Sequence, residues 1–314
     1  MLSVFHPMGF PVEIESNSLD IFRAAQVIWG KYPDLAGTEP VRLRFHVSEA
    51  KEEVSVPPEP SDVAFDGDWM TIGCLRGEHH GPNAYAKANL AEGWAEITLP
   101  ATRAAQADYV NYHFLEPIAH LLLAAPHYAF AHASSIALNG QALVLCGEAE
   151  AGKTCLAYAC ARAGWTFLSG DATHFFHKSG EFAVAGRPFS VRFRESARDL
   201  FPELRAWPSE LRPNGKRAIE VATAKLNILT ALRARASHLV FLERKAGAGV
   251  RTEPMSADEA FERLNIHVFF GGEGVRSAQR ATLHRYTTLP CVRLIYSGLQ
   301  EAEVALRALI PDAI

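Results

Sequence analysis

Eight consecutive residues constrain this chain more than any other feature: Gly147-Glu148-Ala149-Glu150-Ala151-Gly152-Lys153-Thr154 fits the pattern G-x-x-x-x-G-K-[ST]. Such a loop needs a strand to enter it and a helix to leave it, because successive backbone N–H groups must converge on anionic oxygens. The flanks supply both. Ala142-Leu143-Val144-Leu145-Cys146 is a short apolar run of strand type, and Lys153 to Arg162 reads as a helix closed by Gly164, a residue suited to the left-handed position after a helix. The pattern points to ATP or a related nucleotide with Mg²⁺. The amides from Gly147 to Gly152 would cradle phosphates, Lys153 would reach the terminal phosphates, Thr154 would ligate the metal, and Cys155 continues the same first turn.

The chain has 314 residues, enough for a sizeable core and for two domains, or one domain with a large extension. Hydrophobic content of 48% and charged content of 21% describe a globular protein, and a formal net charge of −4 argues against a surface for nucleic acid. The five cysteines, Cys74, Cys146, Cys155, Cys160 and Cys291, form no C-x-x-C pair and read as reduced thiols. Met1 to Glu15 lacks the basic and apolar segments of a secretory signal. Between Glu116 and Glu148 no Asp, Glu, Lys or Arg occurs, but Pro126, several histidines and the Asn139-Gly140 turn signal interrupt the run. A buried helix followed by a buried hairpin fits it better than a membrane span. A cytoplasmic protein with no membrane partner is expected.

The first part of the chain alternates like a sheet domain. Val41, Leu43, Phe45 and Val47 are apolar where Arg42, Arg44, His46 and Ser48 are polar, a period of two. Ser18 to Tyr32 carries helical spacing, and Trp69 to Leu75 and Trp94 to Leu99 look like further strands. Val54 to Pro60 reads as a loop. Tyr109 to Ala125 is an apolar helix candidate, leading into a strand from His132 to Leu138. Beyond the loop come a strand Trp165 to Ser169, the segment Phe182 to Phe193, a helix around Val221 to Ala234 and a strand His238 to Leu242. A helix between Ala257 and Phe269, a strand Cys291 to Tyr296 and a helix Leu299 to Leu309 close the chain. Alternating strands and helices belong to an α/β fold.

Taken together, His132, the phosphate loop, Gly164 and Leu168-Ser169-Gly170-Asp171 resemble the catalytic region of the HPr kinase/phosphorylase family. The likeness covers roughly residues 128 to 175. Gly186-Arg187-Pro188, Leu200-Phe201-Pro202-Glu203-Leu204 and Leu289-Pro290-Cys291-Val292-Arg293-Leu294 are similar to shorter relatives. The resemblance implies an α/β P-loop HPr-kinase-like domain with a mixed sheet over residues 119–314, after a smaller α+β N-terminal domain over residues 1–118. It also implies γ-phosphoryl transfer from ATP to a serine of a protein or peptide. Lys153, His132 and Asp171 would be the catalytic set, and Thr154 and Asp171 would hold the metal. Two positions depart from the family. Gly170 stands where the first of two adjacent aspartates exchanges a proton with the attacking hydroxyl, help that commonly contributes about 10²–10⁴-fold. Glu150 stands where relatives usually carry glycine, and its charge repels phosphate.

Each of these residues also has a structural reading. A lysine in a helix's first turn opposes the macrodipole unless an anion compensates, which favours a binding role for Lys153. Asp171 could cap the turn before Thr173, and His132 could be a core histidine on an apolar strand. His174 and His177 could bracket a metal, although Phe175-Phe176 between them suggests a strand. His79-His80 reads as a surface loop. Arg187, Arg192 and Arg244 are candidates for reaching phosphate, and Gly271-Gly272-Glu273-Gly274 reads as a mobile loop able to close over a nucleotide. No G-x-S-x-G elbow or H-E-x-x-H pair supports a hydrolase. The alternative to a kinase is a nucleotide-binding, catalytically silent accessory protein that recognises a peptide or protein partner through its N-terminal region. A homo-oligomer is left open.

Overall fold

Strict alternation makes the strand Val41–Ser48 one-sided: Val41, Leu43 and Phe45 are buried and Arg42, Arg44 and His46 exposed. The structure is a computed structural model that describes residues 1–49, 62–73, 84–178, 182–212 and 215–310. The loop expected at Val54 to Pro60, the pair His79-His80 and Cys74 lie outside the described residues. The chain divides into two compact units. One comprises Met1–His127, Arg212–Lys216 and Phe269–Ala278, the other Tyr128–Leu211, Arg217–Val268 and Gln279–Ile314.

The first unit is built on strands β1 (Leu2–Phe5), β2 (Val12–Ser16), β3 (Val41–Ser48), β4 (Asp62–Asp66), β5 (Trp69–Gly73), β6 (Tyr85–Asn89) and β7 (Trp94–Pro100), in the order β1-β2-β3-β7-β6-β5-β4. β2, β3 and β7 run parallel and the other pairs are antiparallel. Helix α1 (Leu19–Trp29) makes the crossover from β2 to β3, and Ser18 caps it by accepting the Asp20 amide at 3.3 Å. The apolar run expected from Tyr109 is helical, with a wider π turn over Asn111–Leu115 before helix α2 (Glu116–His127). No described helix is long and apolar enough to cross a membrane.

The second unit holds a mixed sheet. Its strands are β8 (Tyr128–Ala131), β9 (Ser134–Leu138), β10 (Gln141–Cys146), β11 (Thr166–Ser169), β12 (Thr173–Phe176), β13 (Ala183–Ala185), β17 (Leu229–Thr230), β18 (Arg233–Arg244), β19 (Arg251–Pro254) and β20 (Cys291–Tyr296). A smaller sheet contains β14 (Ser190–Phe193), β15 (Glu210–Leu211) and β16 (Arg217–Ala222). In the larger sheet the order β17-β11-β9-β10-β18-β13-β12-β8 places β10 centrally, antiparallel to β9 and parallel to β18, which is parallel in turn to β20. The β9–β10 hairpin turns on Asn139 and Gly140 with φ 52° and 75°, the twist that suits a two-residue connection. From Ala142 to Cys146 β10 is apolar because both its faces are covered. Leu143 and Leu145 join a core with Leu156, Trp165, Phe167 and Phe193, while Ala142, Val144 and Cys146 join another with Phe175, Phe241, Leu264 and Tyr286.

Helix α3 (Lys153–Arg162) occupies the expected residues. It ends on Gly164 at φ 93°, where the Gly164 amide donates to Ala161 and the Trp165 amide to Cys160 at 3.1 Å each, a Schellman closure. Helices α4 (Ala257–Asn265), α5 (Glu273–Tyr286) and α6 (Leu299–Arg307) complete the chain. Two expectations fail. The helix around Val221 to Ala234 is absent: Val221 belongs to β16, a 3₁₀ turn covers Thr223–Lys225, and Arg233 opens β18. Ile219 and Val221 are buried beside exposed Glu220, so alternation sets that stretch, and Asn227 at φ 49° breaks any helical continuation. The expected loop Gly271-Gly272-Glu273-Gly274 instead opens helix α5, and the Gly272 amide donates to Asp68 at 2.6 Å.

Candidate functional site

The loop leaves β10 through three residues with positive φ: Gly147 at 151°, Glu150 at 68° and Gly152 at 88°. Glycine is required at 152. A Cβ there would lie 2.5 Å from Tyr296 Oη, and that hydroxyl donates to the Ala151 carbonyl at 2.6 Å. At 147 a Cβ would meet the Leu242 carbonyl at 3.1 Å. The ends of β18 and β20 therefore hold the loop from below, and the Ala151 amide closes a turn on the Glu148 carbonyl at 3.2 Å.

Lys153 is the first residue of α3 and is 6% exposed. Its ammonium donates to the carbonyls of Gly147 at 2.8 Å and Glu148 at 3.0 Å, and among the described residues it has no ion pair with a carboxylate. Burial pushes it below the ordinary lysine range, opposed by Cys146 and Glu148 and reinforced by Arg194. A buried cation hydrogen-bonded to two carbonyls, at the positive end of a helix and without a carboxylate ion pair among the described residues, is an arrangement that an anion would stabilise. Next to it, Thr154 Oγ1 donates to the Gly170 carbonyl at 2.7 Å, and Ser134 Oγ donates to the same oxygen at 2.7 Å. The Thr154 lone pairs remain available to a cation.

Asp171 follows on the turn between β11 and β12. The task of capping that turn falls to Ser169, whose hydroxyl accepts the Asp171 and Ala172 amides at 3.5 and 3.2 Å, which overturns a purely capping role for Asp171. The Asp171 carboxylate lies 3.5 Å from Arg192, which also pairs with Glu220 at 3.3 Å. His132 sits in a bend between β8 and β9, exposed, so the core-histidine alternative fails. Partial shielding from water and then the Lys153 charge push its pKa below the ordinary value, against the carboxylate and backbone of Asp171. His132, Lys153 and Asp171 thus share one electrostatic neighbourhood.

Two residues join that neighbourhood without having been singled out in the sequence. His267, just past α4, is half-buried, and its pKa is pushed down to about 4 by burial, then by His132 and Lys153, with Glu148 opposing. Arg194, at the end of β14, pairs with Glu150. Of the expected arginines, Arg192 reaches Asp171, and Arg244 reaches the loop, its Cδ lying 4.0 Å from where a Gly152 Cβ would sit. Arg187 is felt by His174 instead.

His174 is buried with its Nδ1 donating to the Ala185 carbonyl at 3.2 Å, and His177 Nδ1 lies 2.6 Å from Thr282 Oγ1. Among the described residues no cluster of three or more His, Cys, Asp or Glu could hold a metal ion. A Mg²⁺ ion, which usually keeps waters and takes only one or two protein ligands beside phosphate oxygens, could be held by Thr154 and Asp171. The four described cysteines are free thiols. Burial pushes Cys146 up to about 12, so it packs without reacting, and Cys155 is raised too, with Arg244 opposing. Glu150 is largely exposed and pairs with Arg194.

No family model matches the chain, and no curated protein matches it. Among solved structures, the HPr(Ser) kinase/phosphatase from Coxiella burnetii is similar over 57% of this chain and 88% of that chain, at 10% sequence identity and a TM-score of 0.34.

Proposed function

We propose that the chain binds a nucleoside triphosphate with Mg²⁺ at residues 147–155 and acts as an HPr-kinase-like phosphotransferase on a hydroxyl of a protein or peptide in the cytoplasm. The observation that carries this reading is Lys153: a buried ammonium with no carboxylate ion pair among the described residues, satisfied by two carbonyls of its own loop. Phosphate supplies the missing negative charge, and the loop amides and Lys153 stabilise it. Mg²⁺, held by Thr154 and Asp171 directly or through water, would neutralise charge on the phosphates. His132, kept neutral near pH 7 by its lowered pKa, is able to accept the hydroxyl proton.

A second reading, a nucleotide-binding protein without turnover, is favoured by Gly170. Its carbonyl is held by two hydroxyls, and it offers no carboxylate beside Thr154. A Cβ at 170 would meet Thr154 Cγ2 at 3.2 Å and Phe167 Cζ at 3.5 Å, contacts a small shift can absorb. A thermal-shift titration with MgATP tests the shared premise: saturation at about 100 times Kd stabilises a folded protein by ~2.7 kcal/mol. No rise in Tm at millimolar MgATP defeats both readings. Labelled ATP with candidate acceptors then separates them. Transfer by the wild type, increased in Gly170→Asp, supports the kinase, and silence in both proteins supports the accessory role.

A further inference from the structure

The ion pair between Glu150 and Arg194 is more than surface decoration, because of where its partners stand. Glu150 belongs to the phosphate loop itself and takes a left-handed backbone at φ 68°, a conformation that side chains other than glycine adopt at a cost. Its side chain is 72% exposed and leans out of the loop onto Arg194, 64% exposed. Arg194 follows β14, two residues beyond Arg192, which is held by both Asp171 and Glu220. By contrast, among the described residues Glu150 is the sole hydrogen-bond or ion-pair partner of the Arg194 side chain. The charge of Arg194 also reaches Lys153. One guanidinium, whose charge is felt at Lys153, is therefore paired with a carboxylate of the loop itself.

We propose that Glu150 and Arg194 form an exchangeable latch in which Arg194 leaves the Glu150 carboxylate for the terminal phosphate of an incoming nucleoside triphosphate. This rests on the nucleotide reading above and deepens it by assigning selection for the number of phosphates to Arg194. The exchange is favourable in chemical terms. A guanidinium forks onto carboxylate and phosphate with the same two-pronged geometry, an exposed carboxylate pair is weak, and a terminal phosphate brings more charge than the carboxylate it displaces. Glu150 holds the arginine in place while the site is free of ligand and competes with the ligand for it.

Calorimetric titration of MgATP, MgADP and AMP into the full chain, its E150Q, R194A and R194K variants, and the E150Q/R194A double variant tests the latch. Removing a charge-assisted contact to the terminal phosphate weakens ATP binding by about tenfold or more in R194A, with AMP unchanged and R194K between the two. E150Q tightens ATP several-fold, and that gain shrinks in the R194A background, the coupling that marks two residues acting as one device. A pair that merely braced the loop would give the opposite sign, E150Q weakening ATP, and that result overturns the latch. An E150Q gain of equal size with and without Arg194 also overturns it, leaving simple repulsion by Glu150. Wild-type binding with unchanged variants defeats the latch alone, whereas no binding in any of these proteins defeats the nucleotide reading and the latch with it.

Discussion

Gly152 and Gly164 share nearly the same backbone, φ 88° and 93°, but different surroundings. Nothing lies within 4 Å of a Cβ at 164, whereas at 152 Tyr296 Oη is 2.5 Å away. Gly164→Ala should then cost only the left-handed conformation, ~1 kcal/mol. Gly152→Ala adds a steric overlap and should exceed ~2 kcal/mol while abolishing nucleotide binding. Urea unfolding of the two variants, with the order reversed or equal, would contradict the packing described for the loop. Type and spacing single out the loop glycines, Lys153, Thr154 and Asp171, which carry a motif's logic. Arg194 and His267 do not, because neither has a local pattern. Arg194 meets Glu150 through its position at the end of β14, and His267 meets Lys153 and His132 only because α4 ends where it does. An arginine after a strand and a histidine after a helix look the same in sequence whether or not the fold brings them to a site.

Among the elements, strand–loop–helix order around residues 141–162 could be read directly, since the apolar run of β10, the turn residues Asn139 and Gly140, and the closing Gly164 each leave a chemical signature. The stretch from Val221 to Ala234 misled for a physical reason. It is rich in Ala and Leu, good helix formers, but pairing of β16 with β14 and of β17 with β11 overrides that preference. Helix α5 was missed for the converse reason. Its inner face includes Gln279 and Thr282 among Val275, Leu283 and Tyr286, so its apolar period is diluted by buried polar residues. A sharper element-scale test lies at α4. Ser256 Oγ accepts the Glu259 amide at 3.2 Å, the N-cap of a Ser-x-x-Glu box. Ser256→Ala should lower stability by ~1 kcal/mol. A urea midpoint indistinguishable from the wild type would remove the cap from the account.

At the scale of the molecule, an α/β class was legible from alternating strands and helices, the mixed sheet was expected only from the family resemblance, and strand order was not legible. Long-range pairings such as β10 with β18 are set by complementarity of whole faces, which no local window contains. Each unit also buries a histidine, with consequences for pH. His113 is pushed down to about 4 by burial and then Arg103, and His174 to about 4 by burial above all. Since both bind their proton later in the folded than in the unfolded chain, the unfolded state holds more protons between pH 4 and the ordinary 6.5. Stability is then full above pH 6.5 and is lost as pH falls toward 4, by on the order of 2 kcal/mol for each histidine at pH 5. Urea midpoints that match at pH 7 and pH 5 would contradict this.

The central claim is that Lys153 is buried for the sake of an anion. Calorimetric titration of MgATP into the wild type and Lys153→Met, with the ligand-free Tm of each, tests it most directly. The account predicts MgATP binding by the wild type, none by the variant, and a variant Tm equal to or above that of the wild type, because a buried charge without a carboxylate ion pair has been removed. A variant that binds MgATP as well as the wild type, or one whose ligand-free Tm falls by several degrees while the wild type binds nothing, would make Lys153 a structural brace and contradict the claim.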